Sequence, residues 1–163
     1  MTFEELDEIL SVAPYAPFML SLSERRDNEL TVNIAPSHVG ESRDITEEEV
    51  PNPQLRNILN GSRPIEIDSE HVYEITFDRY IIYQVGNESF CSGNPNDEFS
   101  GGFLRVYTRS FLLDNLSRMT DAQELDDGSF YPAKWTHYQI ITLNHIVDII
   151  SLGEPSVNFS IPS

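Results

Sequence analysis

The stretch THYQIITLNHIVDII, residues 136–150, sets His137, Asn144, His145 and Asp148 among isoleucines. Imidazole nitrogens and a carboxylate are common ligands of zinc and its neighbours, and the same groups serve as base and orienting acid in acyl transfer. With His71 as a further candidate, these residues define one reading: a small-molecule or metal-binding enzyme that uses a His/Asp cluster. The spacing speaks against a metal. Histidines eight positions apart match no compact metal motif. A hydrolytic version lacks a Gly-x-Ser-x-Gly elbow, and no serine or cysteine can be paired with a histidine from position alone. Asn144 and His145 equally suit a bend between two strands, where a polar side chain bonds backbone groups. No catalytic residue, metal or cofactor is therefore assigned, and the enzyme reading stands as the alternative.

A second set of residues carries charge. The chain holds 27 acids against 10 bases for a net charge of −17, and residues 1–50 alone hold 12 of the acids against 3 bases. Glu41, Asp44, Glu47, Glu48 and Glu49 fall within one polar run, HVGESRDITEEEV. Affinity for nucleic acid comes from neutralising phosphates with Lys and Arg, so a chain whose single lysine is Lys134 is not expected to bind it. A basic protein is the partner this charge would attract and steer, with residues 41–49 as the contact segment.

Other features bound the setting. No window reaches the ~18 apolar residues of a membrane-spanning helix. Residues 1–10 carry four acids where a secretory signal carries a cationic start and an apolar run, so a cytoplasmic protein is expected. Cys91 is the sole cysteine, which excludes an internal disulfide and reads as a structural thiol. At 163 residues the chain is expected to form one domain, with a polar acidic loop near 36–50 and an irregular tail after 153.

The elements that must position these groups follow from periodicity. Thr2 and Glu5 form a capping-box pattern ahead of Phe3, Leu6, Ile9 and Leu10 at helical spacing. Two strands, 18–22 and 30–35, flank the polar segment 23–28 as a hairpin. Asn52, Pro53 and Gly61 bracket a short helix, 53–60, with Leu55, Ile58 and Leu59 inward. In VYEITFDRYIIYQV a turn at Asp78 and Arg79 would set Phe77 opposite Tyr80, Ile75 opposite Ile82 and Tyr73 opposite Gln84. The glycines between 93 and 102 lack the lysine and spacing of a phosphate loop and read as a connection. A strand over 103–108 then leads to Ser110, which caps a helix to Met119 burying Leu112, Leu113 and Leu116. A loop over 120–135 precedes two strands within 137–152, whose β-branched run favours extended chain. The order of elements predicts an α+β fold, a mostly antiparallel sheet with about three helices packed on it.

Two blocks, YEITFDRYIIYQVGNESF and HYQIITLNHIVDIIS, lie within a span of about residues 65–155 that resembles a group of small uncharacterised bacterial proteins. The resemblance implies an immunity-protein-like role, the neutralisation of a contact-delivered toxin, and transfers no activity to any residue. The function expected from charge and resemblance together is that of a non-enzymatic cytosolic protein that binds a cationic partner. Oligomeric state is not legible in the sequence.

Overall fold

The capping box forms. Thr2 Oγ1 accepts the Glu5 N–H at 3.1 Å and Glu5 Oε2 accepts the Thr2 N–H at 2.8 Å. This opens α1 (Phe3–Leu10) in the computed structural model, which describes residues 1–160. The buried face of α1 is Phe3, Leu6, Asp7 and Leu10, while Ile9, expected on that face, is 44% exposed. Asp7 replaces it because its carboxylate has a task. Oδ2 accepts the Gly102 N–H at 2.7 Å, and Oδ1 accepts those of Phe103 at 2.9 Å and Leu104 at 2.8 Å. A buried charge is tolerated when such donors replace its water, and here they also start a strand.

After α1 come β1 (Phe18–Glu24) and β2 (Leu30–Ala35), the expected hairpin, paired antiparallel. Its loop turns through Asp27 and Asn28 at φ 62° and 61°, a left-handed conformation that short polar side chains accept at least cost. An excursion follows, with β3 (Ser37–Val39), α2 (Pro53–Leu59) and β4 (Ile65–Ile67), in which β3 and β4 pair. The main body resumes with β5 (Val72–Phe77), β6 (Tyr80–Asn87), β7 (Glu98–Ser100), β8 (Leu104–Arg109) and α3 (Phe111–Met119). It closes with the short β9 (Gln123–Glu124) and β10 (Phe130–Tyr131), then β11 (Thr136–Ile141), β12 (His145–Ser151) and β13 (Ser156–Ser160).

The α+β expectation holds, with two main sheets in place of one. The first has the order β1-β2-β5-β13 and the second β6-β12-β11-β8-β7, every pairing antiparallel. Val32, Ile75 and Phe77 of the first sheet share a buried cluster with Ile140, Val147 and Ile149 of the second, and Phe3, Leu6 and Leu10 of α1 join it. Tyr138 sits between the layers, its ring 5.2 Å from Phe3 and 5.5 Å from Phe77. On the second sheet's other face Leu112 and Leu116 of α3 cover Ile150 and pack with Ile82. Adjacent residues Ile149 and Ile150 are thus both fully buried, one on each face. This is why two isoleucines stand side by side there in place of an apolar–polar alternation.

Three expectations are corrected. Residues 72–85 do not form a hairpin: β5 lies between β2 and β13, and β6 pairs with β12. A two-residue hairpin needs positive φ at its centre, and neither Asp78 nor Arg79 adopts it. Instead they carry the chain from one sheet to the other, and the corner is held where the Arg79 carbonyl accepts from the Leu152 N–H at 2.9 Å and Ser151 Oγ at 3.0 Å. Helix α2 forms under its Asn52 cap, but none of its residues is buried, so Leu55, Ile58 and Leu59 do not face a core. The tail after 153 is irregular only as far as 155, because β13 fills the free edge of β5 and buries Val157. Pro162 lies outside the described residues.

Asp7→Ala, which strands three backbone donors, should destabilise the fold by about 2–4 kcal/mol, and Ile140→Ala should do so by about 2–5 kcal/mol, while Ile9→Ala stays within about 0.5 kcal/mol. Urea denaturation measures all three, and equal effects at Asp7 and Ile9 would contradict the burial assignment. Between the sheets, Tyr80 OH donates to Glu24 Oε1 at 2.6 Å, and this bond first, with burial, pushes the phenol up to about 12. Its contribution to stability is then present below the unfolded phenol value of about 10 and lost as pH rises through the folded one. Glu24→Gln should bring the Tyr80 titration, followed by ultraviolet absorbance, back toward 10.

Candidate functional site

The outward face of the second sheet carries the chemistry. Register places Gln84, Asp148, Gln139 and Arg105 directly opposite one another on β6, β12, β11 and β8. The next row sets Ile82, Ile150, His137 and Tyr107 side by side. Directly opposed residues share a face, and diagonal neighbours remain within reach of long side chains. His137 and Asp148 are such a diagonal pair, with Nε2 and Oδ1 3.1 Å apart.

Asp148 is the hub. Oδ1 also accepts from Gln139 Nε2 at 2.7 Å, and Oδ2 accepts from Gln84 Nε2 at 3.0 Å. Burial alone would raise this carboxyl, but the bonds from His137, Gln84 and Gln139 outweigh it and hold it below the ordinary aspartate range. Tyr107 OH donates to Gln139 Oε1 at 2.8 Å, and its ring stacks on the His137 imidazole, centroids 4.4 Å apart. Burial pushes the Tyr107 phenol up, so it stays a donor.

The other imidazole nitrogen reaches a helix. Ser110 is the N-cap of α3, its Oγ accepting the Leu113 N–H at 3.1 Å, and the same Oγ lies 2.8 Å from His137 Nδ1. A carboxylate at Nε2 favours the proton there, so in the neutral ring Nδ1 is the acceptor and the Ser110 hydroxyl the donor to it. With the ring neutral, a directed chain runs Ser110 O–H to His137 to Asp148. His137 and Ser110 are each 2% exposed. They line a cavity of about 500 Å³ over this face, whose floor includes Gln84, Arg105 and Asp148 and whose walls include Asp97, Phe111 and Met119. Its lining mixes these polar groups with apolar Leu112, Ile141 and Ile146, a make-up compatible with a small-molecule site.

Of the residues singled out from sequence, His137 and Asp148 converge and the others do not join them. Alternation along β12 turns His145 to the opposite face from Asp148, and its Nδ1 is buried without a hydrogen-bond partner. It is the first residue of β12 rather than part of the bend. Asn144 occupies the turn and ties it to β1, accepting from the Met19 N–H and donating to the Met19 carbonyl, both at 3.1 Å. His71 pairs with Asp68 at 2.8 Å. Among the described residues no group of three or more His, Cys, Asp or Glu is placed to hold a metal ion. Ser110, Tyr107, Gln84 and Gln139 were not marked as site residues by sequence. The alternating Gln139 and Asp148 carried a signal once the β11–β12 register was known, whereas nothing local relates Ser110 to His137.

A second feature lies on the excursion. Glu41, Asp44, Glu47, Glu48 and Glu49 are all exposed. Thr46 N–H donates to Glu49 Oε2 at 3.0 Å and Arg43 lies 3.3 Å from Glu49 Oε1, which together hold that carboxyl below its usual range. Ile45 N–H donates to Asn60 Oδ1 at 2.8 Å, so the acidic run is fastened to the end of α2. Leu55 and Ile58 of α2 are 47% and 75% exposed.

Compared with family models, curated proteins and solved structures, the chain matches none. No helix among the described residues is long and apolar enough to cross a membrane.

The Asp148 carboxyl makes the site's pH behaviour definite. Because it lies lower in the fold than in the unfolded chain, its contribution is fully present above the unfolded value of about 4 and is lost as pH falls through the folded one. Asp148→Asn should lower the melting temperature at neutral pH and flatten its decline below about pH 4. Identical acid limbs for variant and wild type would contradict this.

Proposed function

We propose that this chain is a cytosolic protein-binding protein whose partner is basic, in the manner of a bacterial immunity protein that neutralises a cationic toxin. The observation that supports this is α2, a capped amphipathic helix with no buried residue. A seven-residue helix is marginal alone in water and normally persists by burying one face. Here Leu55 and Ile58 face solvent, and Val39 and Ile67 of the neighbouring ribbon are 40% and 43% exposed. The acidic run 41–49 is fastened to the same excursion. Exposed apolar side chains beside acid suit a partner that supplies apolar cover at the centre and Lys or Arg at the rim. The chain's net charge of −17 would steer such a partner from a distance.

The test is retention of a basic protein by the immobilised chain, with two variants beside the wild type. Leu55→Ser with Ile58→Ser should weaken retention at least about tenfold, since buried apolar anchors dominate interfaces. Glu47→Gln, Glu48→Gln and Glu49→Gln together should slow association and remove the difference between about 0.05 M and about 1 M salt. Equal retention by wild type and both variants would overturn the proposal.

A further inference from the structure

We propose that Ser110 is a nucleophile, activated by His137 and Asp148, and that the cavity above them is a hydrolytic site for small carboxylic esters. This concerns a face of the second sheet and does not rest on the protein-binding reading of the excursion.

Capping alone does not account for the arrangement. An N-cap needs one acceptor oxygen, which Thr, Asn or Asp would also supply. At Ser110 the cap oxygen additionally lies within hydrogen-bond distance, 2.8 Å, of a buried imidazole, and that ring's far nitrogen lies 3.1 Å from a carboxylate. The carboxylate is oriented by two further amides, from Gln84 and Gln139, and the imidazole is stacked under Tyr107. Nucleophile, base and orienting acid thus stand in the order that acyl transfer requires, with the ring used through Nδ1 toward the serine. Four polar side chains spent on holding one imidazole in one tautomer is a costly way to fill a sheet face, where apolar groups would pack as well.

The surroundings complete the chemistry. Ser110, His137 and Asp148 all line the cavity of about 500 Å³, beside apolar Ile141, Ile146 and Phe111 that suit a short acyl chain. Of the first-turn N–H groups of α3, that of Leu113 is taken by Ser110 Oγ and that of Phe111 by Asp97 Oδ1 at 3.2 Å. The Leu112 N–H is in the same turn, at the positive end of the helix dipole, where an oxyanion is stabilised.

In the step, Ser110 Oγ attacks the ester carbonyl carbon and its proton passes to His137 Nδ1, leaving the imidazolium paired with Asp148. Collapse of the tetrahedral adduct breaks the carbon–oxygen bond to the leaving alcohol, which takes that proton. Water then attacks the acyl-serine with His137 again as base, releasing the carboxylic acid and restoring the serine. Ester and water give acid and alcohol. Ser110 and His137 are the catalytic residues; Asp148 is a positioning residue.

The experiment exposes the intact chain to a fluorophosphonate probe and, separately, to p-nitrophenyl acetate. The expected result is one phosphonyl adduct per chain, located by peptide mapping at Ser110, and a nitrophenol burst that approaches one equivalent. Ser110→Ala should give neither, with its fold checked by near-ultraviolet circular dichroism of Trp135. Asp148→Asn should slow labelling by about 100-fold or more, the range for losing a correctly held base, without blocking it. No adduct at Ser110 of the wild-type chain overturns the proposal. So does an adduct there that forms equally fast in Asp148→Asn, because Ser110 would then react without its relay.

Discussion

The corner at Asp78 and Arg79 is the constraint from which the architecture follows. Two residues without positive φ cannot fold β5 back on β6 as a hairpin, so the chain passes from one layer to the other. The Arg79 carbonyl is then held by Leu152 and Ser151 at the far end of β12. With β5 and β6 separated, β6 is free to pair with β12 and β5 to receive β13. Both consequences matter. The first sets Gln84 opposite Asp148, and the second closes the first sheet over the shared core.

Packing explains why the second sheet can carry a polar site at all. Its inner face is sealed by the first sheet and by α1, whose Asp7 carboxylate fixes the start of β8 through three backbone donors. Its outer face is covered by α3 only at one end, where Ile82 and Ile150 meet Leu112 and Leu116. Beyond that cover the face turns polar, and its groups satisfy one another: Asp148 accepts from three side chains, and His137 is bonded through both nitrogens. A network closed in this way holds each member in one rotamer and one tautomer, which is what positions Ser110 against the imidazole. The excursion bearing α2 is the opposite case. It exposes apolar groups in place of enclosing polar ones.

Much of this was legible locally. The Thr2–Glu5 capping box, the Asn52 and Ser110 caps, the β1–β2 hairpin and the turn after Thr142, whose Oγ1 accepts the His145 N–H, are short-range matters, decided by side chains that bond backbone within a few residues or by residues that tolerate a turn. The expected burial of Leu112 and Leu116 held for the same reason, since helical spacing alone brings them to one face. Ile9 and Asp7 show where that reasoning stops. Periodicity favoured the isoleucine, yet the aspartate is inside because backbone donors almost a hundred residues away await it.

The sequence by itself determined the α+β class, the positions of α1, α2 and α3, the net charge, and the two adjacent strands that become β11 and β12. Tertiary structure decided that β5 and β6 part, that His145 turns away from Asp148, that α2 stays uncovered, and that Ser110 meets His137. The division has one physical cause. Caps, turns and adjacent-strand register depend on bonds closed within a short loop, whereas strand order and the meeting of a helix cap with a sheet face depend on which distant surfaces bury each other.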